Sequence, residues 1–390
     1  MSLAGTRHPD VLVIGGGIVG AACGYYLVRA GLAVELLEQG FPASRTSGAC
    51  EGNLLLWDKE LTKELPLAQR SLMLWRELAQ ELDVDFEYEP KGSIMVVEDE
   101  AGRMPMARRV EELAKAGVPG KILGQQALHA EEPALAPELP GGALFPEDAQ
   151  VDPRYATAAL VEGGRRHGLR VRTNAAVRRV HLGSAGRVEA VETASERIPA
   201  GAVVMAAGVW TREVAATAGL EVPVHPRKGH IVVVERAPSL IRRKLMEAGY
   251  VATVESSDAA LQVAMVAEST RAGTLLLGSS RQLVGFDRSV SVRVAAAIAA
   301  RAIRFFPALA GLRCIRTYAG LRPFSPDHLP LIGPVAGAEG VYVATGHEGS
   351  GICLAPATGR LIAQWVTGEP LDFPAEWFRP DRFHGQELGG

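Results

Sequence analysis

The chain has 390 residues, of which 47% are hydrophobic and 22% are charged, and its formal net charge at pH 7 is −3. This length can bury a large core and predicts two domains or one elaborated domain, and the composition is ordinary for a globular protein. Because there is no basic excess, nucleic acid and anionic membrane surfaces are excluded as expected partners.

Four cysteines, Cys23, Cys50, Cys314 and Cys353, are scattered without any C-x-x-C pair. This spacing argues against a disulfide framework, a zinc site or an iron–sulfur cluster held by this chain alone, so we expect no metal. The opening residues lead into an apolar strand without a small-residue cleavage site, so no signal peptide is predicted. We therefore expect a cytoplasmic protein.

The most informative stretch, residues 10–38, has the order strand, glycine turn, helix, strand, acid. Gly15, Gly17 and Gly20 form G-x-G-x-x-G, in which the first glycine permits a tight turn and the second lets the backbone approach a pyrophosphate. The third lets the helix pack close to the sheet. The helix that starts here points free N–H groups at the phosphates. Glu38 ends the second strand, where it can accept hydrogen bonds from ribose hydroxyls.

A membrane span is the alternative for the same stretch. Residues 11–28 carry no charge, and Gly16, Gly20 and Gly24 have the spacing of transmembrane dimer helices. However, five glycines make a poor helix, and a membrane span leaves the β-like run before Glu38 unexplained. We favour the dinucleotide site and expect no integral membrane segment.

Residues 41–53 follow as a small, polar, glycine-containing loop. Ser44, Thr46 and Ser47 could bond a phosphate or a flavin, and an ordinary surface loop is the alternative. Periodicity then predicts further helices and strands. The first helix should bury one face, made of Ile18, Ala22, Tyr26 and Ala30. Later helices are predicted at residues 60–82, 103–115, from Asp152 through Leu160, at 290–306 and after Gly351. Strands are predicted at residues 86–97, 169–171, 187–193, 202–207, 261–266, 274–278 and 341–345.

Doubly wound elements thus occur at the start, the middle and the end of the chain, with β-rich stretches between them. This order predicts an α/β fold (α+β overall), in which a β-rich domain is inserted twice into a Rossmann-like dinucleotide domain. The predicted division gives residues 1–85, 150–220 and 315–390 to the dinucleotide domain. Residues 86–149 and 221–314 form the predicted substrate-binding domain.

The motifs, taken together, resemble the D-amino-acid oxidase (DAO) superfamily of FAD-dependent oxidoreductases, in the branch of glycine oxidase and the sarcosine oxidases. The likeness covers nearly all of the chain in the right order. Its most specific parts are GLRPFSPDHLPLIGP at residues 320–334 and VATGHEGSGICLAPATGRLI at residues 343–362. The stretches VDPRYATAALVEGGRRHGLRV, MAAGVWT and HPRKGHIVV also match.

This resemblance implies noncovalent FAD, because monomeric sarcosine oxidases attach the flavin through a cysteine where this chain has Gly320. Cys314 is then expected to be a small buried residue. The ADP half would lie on the opening glycines and Glu38, the adenine against Val177, and the flavin beside residues 346–351. The implied FAD contacts are Gly15, Gly17, Ile18, Val19, Gly20, Glu38, Gln39, Arg45, Thr46, Ser47, Gly52, Asn53, Val177, Ala207, Gly208, Trp210, Arg322, Gly346, His347, Gly349, Ser350, Gly351 and Ile352.

The resemblance also implies substrate-binding residues. Arg322 falls where the family places the guanidinium that binds the substrate carboxylate, and a planar fork suits that task; a surface salt bridge is the alternative. Tyr250 falls where relatives offer a tyrosine to the substrate, although the motif after it is altered. Glu51 and Glu348 are unusual acids in flavin-side loops, and they either contact a substrate amine or cap a turn. Three histidines are expected only to form hydrogen bonds: His230, His328 and His347.

The implied reaction is oxidation of the C–N bond of a small amino or imino acid, of the D-amino acid, glycine, hydroxyproline or opine type, by hydride transfer to flavin N5. Residues 47–53 and 346–352 look closer to the flavin subunits of opine oxidase, hydrogen cyanide synthase and D-hydroxyproline dehydrogenase. Those subunits pass electrons to a partner chain with an iron–sulfur centre. We therefore expect a dehydrogenase subunit in an oligomer with such partners or another electron acceptor. A stand-alone, hydrogen peroxide-producing oxidase and a non-catalytic flavin-binding scaffold are the alternatives.

Overall fold

The computed structural model describes residues 8–250 and 261–383. The altered motif after Tyr250 lies outside the described residues. In chain order, the strands are β1 (Val11–Ile14), β2 (Val34–Leu37), β3 (Asn53–Leu54), β4 (Ser93–Val97), β5 (Lys121–Gly124), β6 (Gly141–Phe145), β7 (Ala149–Gln150), β8 (Arg170–Arg172), β9 (Val177–Leu182), β10 (Val188–Thr193), β11 (Arg197–Pro199), β12 (Ala202–Met205), β13 (His225–Arg236), β14 (Lys244–Glu247), β15 (Gln262–Ser269), β16 (Thr274–Arg281), β17 (Cys314–Phe324), β18 (Leu331–Pro334) and β19 (Val341–Thr345).

The α-helices of the same residues are α1 (Ile18–Arg29), α2 (Glu64–Glu81), α3 (Arg103–Lys115), α4 (Gln125–Glu131), α5 (Pro153–Arg166), α6 (Thr211–Ala216), α7 (Val292–Phe305) and α8 (Gly351–Thr367). None of them is both long enough and apolar enough to cross a membrane.

A six-stranded sheet carries the dinucleotide motif. Its strand order is β18-β19-β12-β1-β2-β8, and β1 runs parallel to both β2 and β12. The four residues of β1 are at most 4% exposed, as expected for a parallel strand covered on both faces. Helix α1 packs against α5 and α8 beside this sheet. The carboxyl ends of β1, β2, β12 and β19 therefore meet at one edge, where open α/β sheets bind ligands.

The second large sheet has eight strands and is mostly antiparallel, with the order β17-β13-β16-β15-β14-β4-β6-β5. Helix α7 packs across β13, β15 and β16, and Val232, Leu277, Ile298 and Phe305 lie in the core between them. Strand β17 is the edge of this sheet and pairs in antiparallel register with β13. These two strands bring Arg322 and Gly229 to the candidate site.

The strands of the six-stranded sheet all come from the segments predicted for the dinucleotide domain. The strands of the eight-stranded sheet come from residues 86–149 and 221–314, apart from β17, which starts at Cys314 and continues to Phe324. Long pairing with β13 draws β17 into this sheet. The division of the chain into two domains stays a prediction.

Several predicted elements have the expected position. The helix at residues 103–115 and the strand at 341–345 have the predicted bounds, and Asp152 caps α5 by accepting the N–H groups of Arg154 and Tyr155. The predicted strand at residues 86–97 shortens to β4, because Glu87 and Gly92 take positive φ angles of 56° and 72°. A continuous strand cannot include such residues.

Two expectations about burial are wrong. Helix α1 is buried on nearly all sides because it lies between the sheet and two helices, whereas Ala30 of the predicted face is exposed and lies past the helix end. Cys314 is exposed rather than buried, because it begins the edge strand β17. Periodicity alone could not show either the second layer over α1 or the sheet edge.

Candidate functional site

A cavity of about 420 Å³ reaches from the carboxyl edge of the six-stranded sheet to strands β13 and β17. Its walls at one end come from residues that follow β1, β2 and β12, and at the other end from Gly229, Arg322 and Tyr250. The cavity thus joins a dinucleotide-type edge to the second sheet.

The glycine turn brings bare backbone to the cavity wall. Gly15 has φ +112°, and a Cβ there would lie 2.5 Å from the Ala206 carbonyl oxygen. A Cβ at Gly20 would lie 1.9 Å from the Gly15 carbonyl oxygen, so the turn of α1 packs directly on the loop. Gly17, the N-cap of α1, supplies no capping side chain. The positive end of the helix dipole therefore faces the cavity.

Glu38 is held in place by the same loop. Its Oε2 accepts the Gly16 N–H at 2.7 Å, and its Oε1 accepts the Gly40 N–H at 2.7 Å. The residue is only 6% exposed and lines the cavity. Each carboxylate oxygen retains further acceptor capacity, so Glu38 can still receive hydroxyl donors from a ribose.

The loop at residues 41–53 is tied to both sheets. Ser47 Oγ accepts the Ile18 N–H at 2.9 Å, in the first turn of α1, and Thr46 Oγ1 donates to the Leu321 carbonyl oxygen at 2.7 Å. The loop therefore connects the glycine turn to β17, next to Arg322. It is a wall of the cavity rather than an ordinary surface loop.

A second helix N-terminus, that of α8, faces the cavity through Gly351 and Ile352. Pro356 lies inside this helix and has no N–H for the Ile352 carbonyl oxygen. Trp75 of α2 compensates, because its Nε1–H donates to the carbonyl oxygens of Ile352 and Cys353, both at 3.1 Å. Helix α2 thus holds the first turn of α8 against the cavity.

At the other end of the cavity, Arg322 is placed by its strand neighbours. Its Nη1 donates to the Ser280 carbonyl oxygen at 2.9 Å. A Cβ at Gly229, on the paired strand β13, would lie 2.2 Å from that Nη1, so the guanidinium occupies space that only glycine leaves. Burial, together with the nearby charge of Arg281, lowers the pKa of Arg322, yet an arginine remains charged.

Glu348 is built into a buried ion-pair cluster. Its Oε1 accepts Arg227 Nη1 at 2.6 Å, and its Oε2 lies 3.2 Å from His328 Nδ1. Arg281 Nε lies 3.9 Å from the same carboxylate. Burial raises the pKa of Glu348, but His328, Arg281 and Arg227 outweigh it and lower that pKa overall. The carboxylate is therefore ionised and fully engaged.

Glu51 belongs to a separate buried cluster with Lys244 and Glu268. Lys244 Nζ lies 2.9 Å from Glu268 Oε2 and 3.6 Å from Glu51 Oε2, and Asn53 Nδ2 donates to Glu51 Oε2 at 3.3 Å. Within the described residues, Glu51 Oε1 has no hydrogen-bond partner, although it is buried. A Cβ at Gly278 would lie 2.3 Å from this oxygen.

Tyr250 lines the cavity and is 5% exposed, with the Arg281 guanidinium 4.5 Å from its ring centre.

His347 also lines the cavity, where its Nε2 lies 2.9 Å from Thr358 Oγ1. Burial lowers the pKa of His347 to about 3, so this imidazole is neutral at physiological pH. His230 accepts the Ser291 N–H through Nε2. The histidines therefore have the hydrogen-bonding surroundings that were expected.

The structure brings most of the predicted site residues to the cavity wall. Exceptions are Gly20, which packs on the turn, and Gly52, whose Cβ would lie 1.6 Å from the Val151 carbonyl oxygen. Gly346 and Ser350 also lie behind the lining residues. The contacts themselves stay predictions.

Sequence reasoning missed several residues at the site. Helix α6 contributes Glu213 and Val214 to the wall, its C-cap contributes Thr217, and no motif marks them. Arg227 was part of a matching motif, HPRKGHIVV, but its pairing with Glu348 depends on β13 and the later loop meeting in space. Lys244 had no local signal, because its two acidic partners lie on distant segments.

Comparisons with known proteins agree with this geometry. A family model described as "DAO: FAD dependent oxidoreductase" matches residues 10–365. The chain is 31% identical to hydrogen cyanide synthase subunit HcnC of Pseudomonas protegens, over 97% of each chain. It is 29% identical to glycine oxidase of Geobacillus kaustophilus, over 98% of this chain and 99% of the relative. The crystal structure of that organism's glycine oxidase superposes with a TM-score of 0.87 at 27% identity, covering 96% of this chain and 99% of the other.

Proposed function

Because this chain belongs to the DAO family of FAD-dependent oxidoreductases, we propose that it oxidises the C–N bond of a small amino or imino acid. The family match and the superposition confirm the resemblance, the fold class and the oxidoreductase class. The single observation that carries the substrate proposal is the buried guanidinium of Arg322 in the cavity that also contains the dinucleotide motif.

The residues of the cavity fit FAD. The bare glycine turn and the uncapped first turn of α1 would hold the pyrophosphate, since a Cβ at Gly15 would collide with the neighbouring loop. Glu38 would bind the ribose of the ADP half. The cavity continues past Ala207 and Gly208 to the N-terminus of α8, where the flavin ring would lie. When bound, FAD supplies the two-electron acceptor for oxidation of the substrate.

We propose that Arg322 binds the substrate carboxylate through two charge-assisted hydrogen bonds. Gly229 leaves the space for the guanidinium, and the Ser280 carbonyl oxygen fixes its orientation. The Tyr250 hydroxyl, close to Gly349, would contact the same substrate. Holding the carboxylate at one point orients the carbon–nitrogen bond for reaction.

The proposed substrates are of the D-amino acid, glycine, hydroxyproline or opine type, and the proposed role is that of a dehydrogenase subunit. The Pseudomonas protegens relative, a subunit of hydrogen cyanide synthase, supports this assignment, because it is similar over nearly its whole length. Within the described residues, no group of three or more metal-binding side chains could hold a metal ion. In this role a partner chain or another acceptor would receive the electrons, and the proposed location is cytoplasmic.

The test is anaerobic mixing of the purified, yellow protein with a panel of glycine, sarcosine, D-alanine, D-proline, trans-4-hydroxy-D-proline, iminodiacetate and the opine octopine. At least one of these compounds should bleach the flavin absorbance near 450 nm, as substrate reduction requires. If the protein holds flavin that dithionite bleaches but none of the panel does, the scaffold alternative replaces the proposed function.

A further inference from the structure

Two buried acids line the candidate substrate end of the cavity, and their surroundings differ. Glu348 has both carboxylate oxygens engaged, by Arg227 and His328. Glu51 is 7% exposed, and its Oε1 has no hydrogen-bond partner within the part of the chain that the structure describes. A buried carboxylate oxygen without a donor is costly, so the Glu51 carboxylate is under-satisfied and can still accept a hydrogen bond from a ligand in the cavity that it lines.

The charges around Glu51 favour a cation as that ligand. The cluster contains two carboxylates, Glu51 and Glu268, and one ammonium, Lys244. Burial lowers the pKa of Lys244, but the carboxylates of Glu268 and Glu51 outweigh it and raise that pKa, so Lys244 stays charged. The two carboxylates therefore face one ammonium, and either a proton or a bound cation can supply a second positive charge; burial raises the pKa of Glu268, so Glu268 is the carboxylate that takes a proton more readily.

Arg322 lies in the same cavity, and the negative charge of Glu51 acts on its guanidinium. The cavity thus presents a cation and an under-satisfied anion to one ligand. An amino acid carries the complementary pair, because its carboxylate is negative and its amine is protonated at neutral pH. The two other buried acids of the cavity are less suited to the amine: Glu38 lies at the dinucleotide end, where it accepts the Gly16 and Gly40 N–H groups, and Glu348 is paired with Arg227.

We infer that the Glu51 carboxylate binds the substrate ammonium and removes one of its protons, so that the substrate reacts as the free amine. This inference rests on the proposed function and deepens it. The substrate N–H bond breaks and its electron pair stays on nitrogen, while the proton forms an O–H bond with Glu51. The lone pair left on nitrogen is what the oxidation of the C–N bond requires, since an ammonium has none to share.

Lys244 and Glu268 act as positioning residues for Glu51. Lys244 Nζ bridges the two carboxylates, and Gly278 of β16 leaves the space in which Oε1 lies. Strand β14 supplies Lys244 and strand β15 supplies Glu268, so the sheet fixes the cluster. The other charged or titratable groups whose fields reach the cluster are Cys50, Lys91, Tyr250, Tyr318 and Arg322.

The experiment compares Glu51→Gln with wild-type protein across pH 6–10, using the member of the amino-acid panel that bleaches the flavin fastest. Loss of the proton acceptor should lower kcat/KM at pH 7 by about 100-fold or more, the usual size of a general-base contribution. The deficit should shrink as pH rises, because the substrate then arrives already deprotonated. Glu132→Gln is the matched control, since Glu132 is a buried acid outside the cavity that accepts the Arg242 and Arg243 N–H groups; its pH profile should follow the wild type.

Ligand binding gives a readout that does not depend on turnover. Methoxyacetate has the carboxylate and shape of sarcosine but no ammonium, and its binding can be followed by the flavin spectrum. Glu51→Gln should leave methoxyacetate affinity within about threefold of the wild type, whereas Arg322→Leu should abolish it. If Glu51→Gln does not fold, Gly278→Ala, which crowds Oε1, should reproduce the pH-dependent deficit.

An unchanged pH profile in Glu51→Gln would overturn the inference and leave the proposed function intact. A drop in flavin affinity without a change in the profile would assign Oε1 to the cofactor and also overturn it. Failure of every amino acid to reduce the wild-type flavin would instead refute the proposed function itself. The three outcomes are therefore distinguishable.

Discussion

Arg322 is the residue that we propose to bind the substrate carboxylate. Replacing it with leucine removes both charge-assisted hydrogen bonds while keeping an apolar stem of similar bulk. We expect the transition state to lose about 2–4 kcal/mol of stabilisation, which corresponds to a fall in kcat/KM of roughly 30- to 1000-fold. Steady-state kinetics with the best substrate of the panel would measure this change.

The matched control is Arg322→Lys, which keeps the charge but not the planar fork. It should lie between the wild type and Arg322→Leu, and both variants should keep their flavin, because the glycine turn and Glu38 are proposed to hold the ADP half of FAD. Unchanged kinetics in Arg322→Leu would contradict the assignment of the carboxylate site.

Asp148 illustrates a buried acid that affects stability rather than catalysis. It is fully buried, accepts the Leu56 N–H at 3.0 Å and the Ser93 hydroxyl at 2.6 Å, and burial raises its pKa from 3.8 to about 7. The folded state therefore binds a proton more tightly than the unfolded state. Its contribution to stability is complete below pH 4 and is lost as pH rises to about 7.

Asp148→Asn should remove this dependence. The melting temperature of the variant, relative to the wild type, is expected to rise between pH 5 and pH 7 and then to level off. Asp372→Asn is the control, since Arg360, Gln364 and Arg70 lower the pKa of Asp372 despite its partial burial, and no such trend should occur above pH 5. Parallel curves for wild-type protein and Asp148→Asn over pH 5–8 would contradict the prediction.

At the scale of elements, the contact between α2 and α8 fixes the helix end at the cavity. Pro356 interrupts the hydrogen bonding of α8, and Trp75 donates to the two carbonyl oxygens nearest the break. Trp75→Phe would leave both oxygens without this donor, at a cost of roughly 1–3 kcal/mol. We expect a melting temperature lower by several degrees and weaker flavin retention, measured by thermal denaturation and by the flavin lost on dialysis.

Trp365→Phe is the control for loss of an indole ring on the same helix. Trp365 packs over Gly333 of β18, away from the first turn of α8. It should reduce stability without changing flavin retention. Equal retention in Trp75→Phe and Trp365→Phe would show that the first turn of α8 holds its position without Trp75.

Elements with a strong local signal were predictable from the sequence. The glycine turn, the Asp152 cap and strand β19 follow from residue types at fixed spacing. The long strands β13 and β17 were recognised only as motifs, because glycine, proline and charged residues interrupt the alternation that marks a strand. Their pairing over ten residue pairs, from His225 to Val234, compensates for this weak local preference.

The site was predictable where one segment supplies the chemistry. Glu38 and Arg322 lie in motifs and both reach the cavity. The sequence could not distinguish Glu51 from Glu348, because the partners of both lie far away along the chain. Arg227 lies 121 residues from Glu348, and the fold of the eight-stranded sheet brings Lys244 to Glu51. Long-range ion pairs leave no local pattern, so the different surroundings of Glu51 and Glu348 appear only in the fold.

At the scale of the whole molecule, the cavity joins two sheets with different tasks. The parallel sheet presents strand ends and a helix dipole, which suit a phosphate-bearing cofactor, whereas the antiparallel sheet presents a fixed guanidinium and a carboxylate cluster. The two sheets are tied together next to the cavity, where Thr46 of the loop at residues 41–53 donates to the Leu321 carbonyl oxygen of β17. This arrangement predicts that substitutions in the parallel sheet change cofactor binding, whereas substitutions in the antiparallel sheet change substrate binding.

The identity of the electron acceptor is a further property at the scale of the whole molecule. Similarity to a hydrogen cyanide synthase subunit over nearly the full chain favours transfer to a partner. We therefore expect the isolated protein, given its best substrate, to reduce dichlorophenolindophenol at least tenfold faster than oxygen. Dye bleaching and an oxygen electrode would measure the two rates, and acid precipitation should release free FAD, since the flavin is expected to be noncovalent. Stoichiometric hydrogen peroxide at a rate equal to that of dye reduction would instead identify a self-sufficient oxidase.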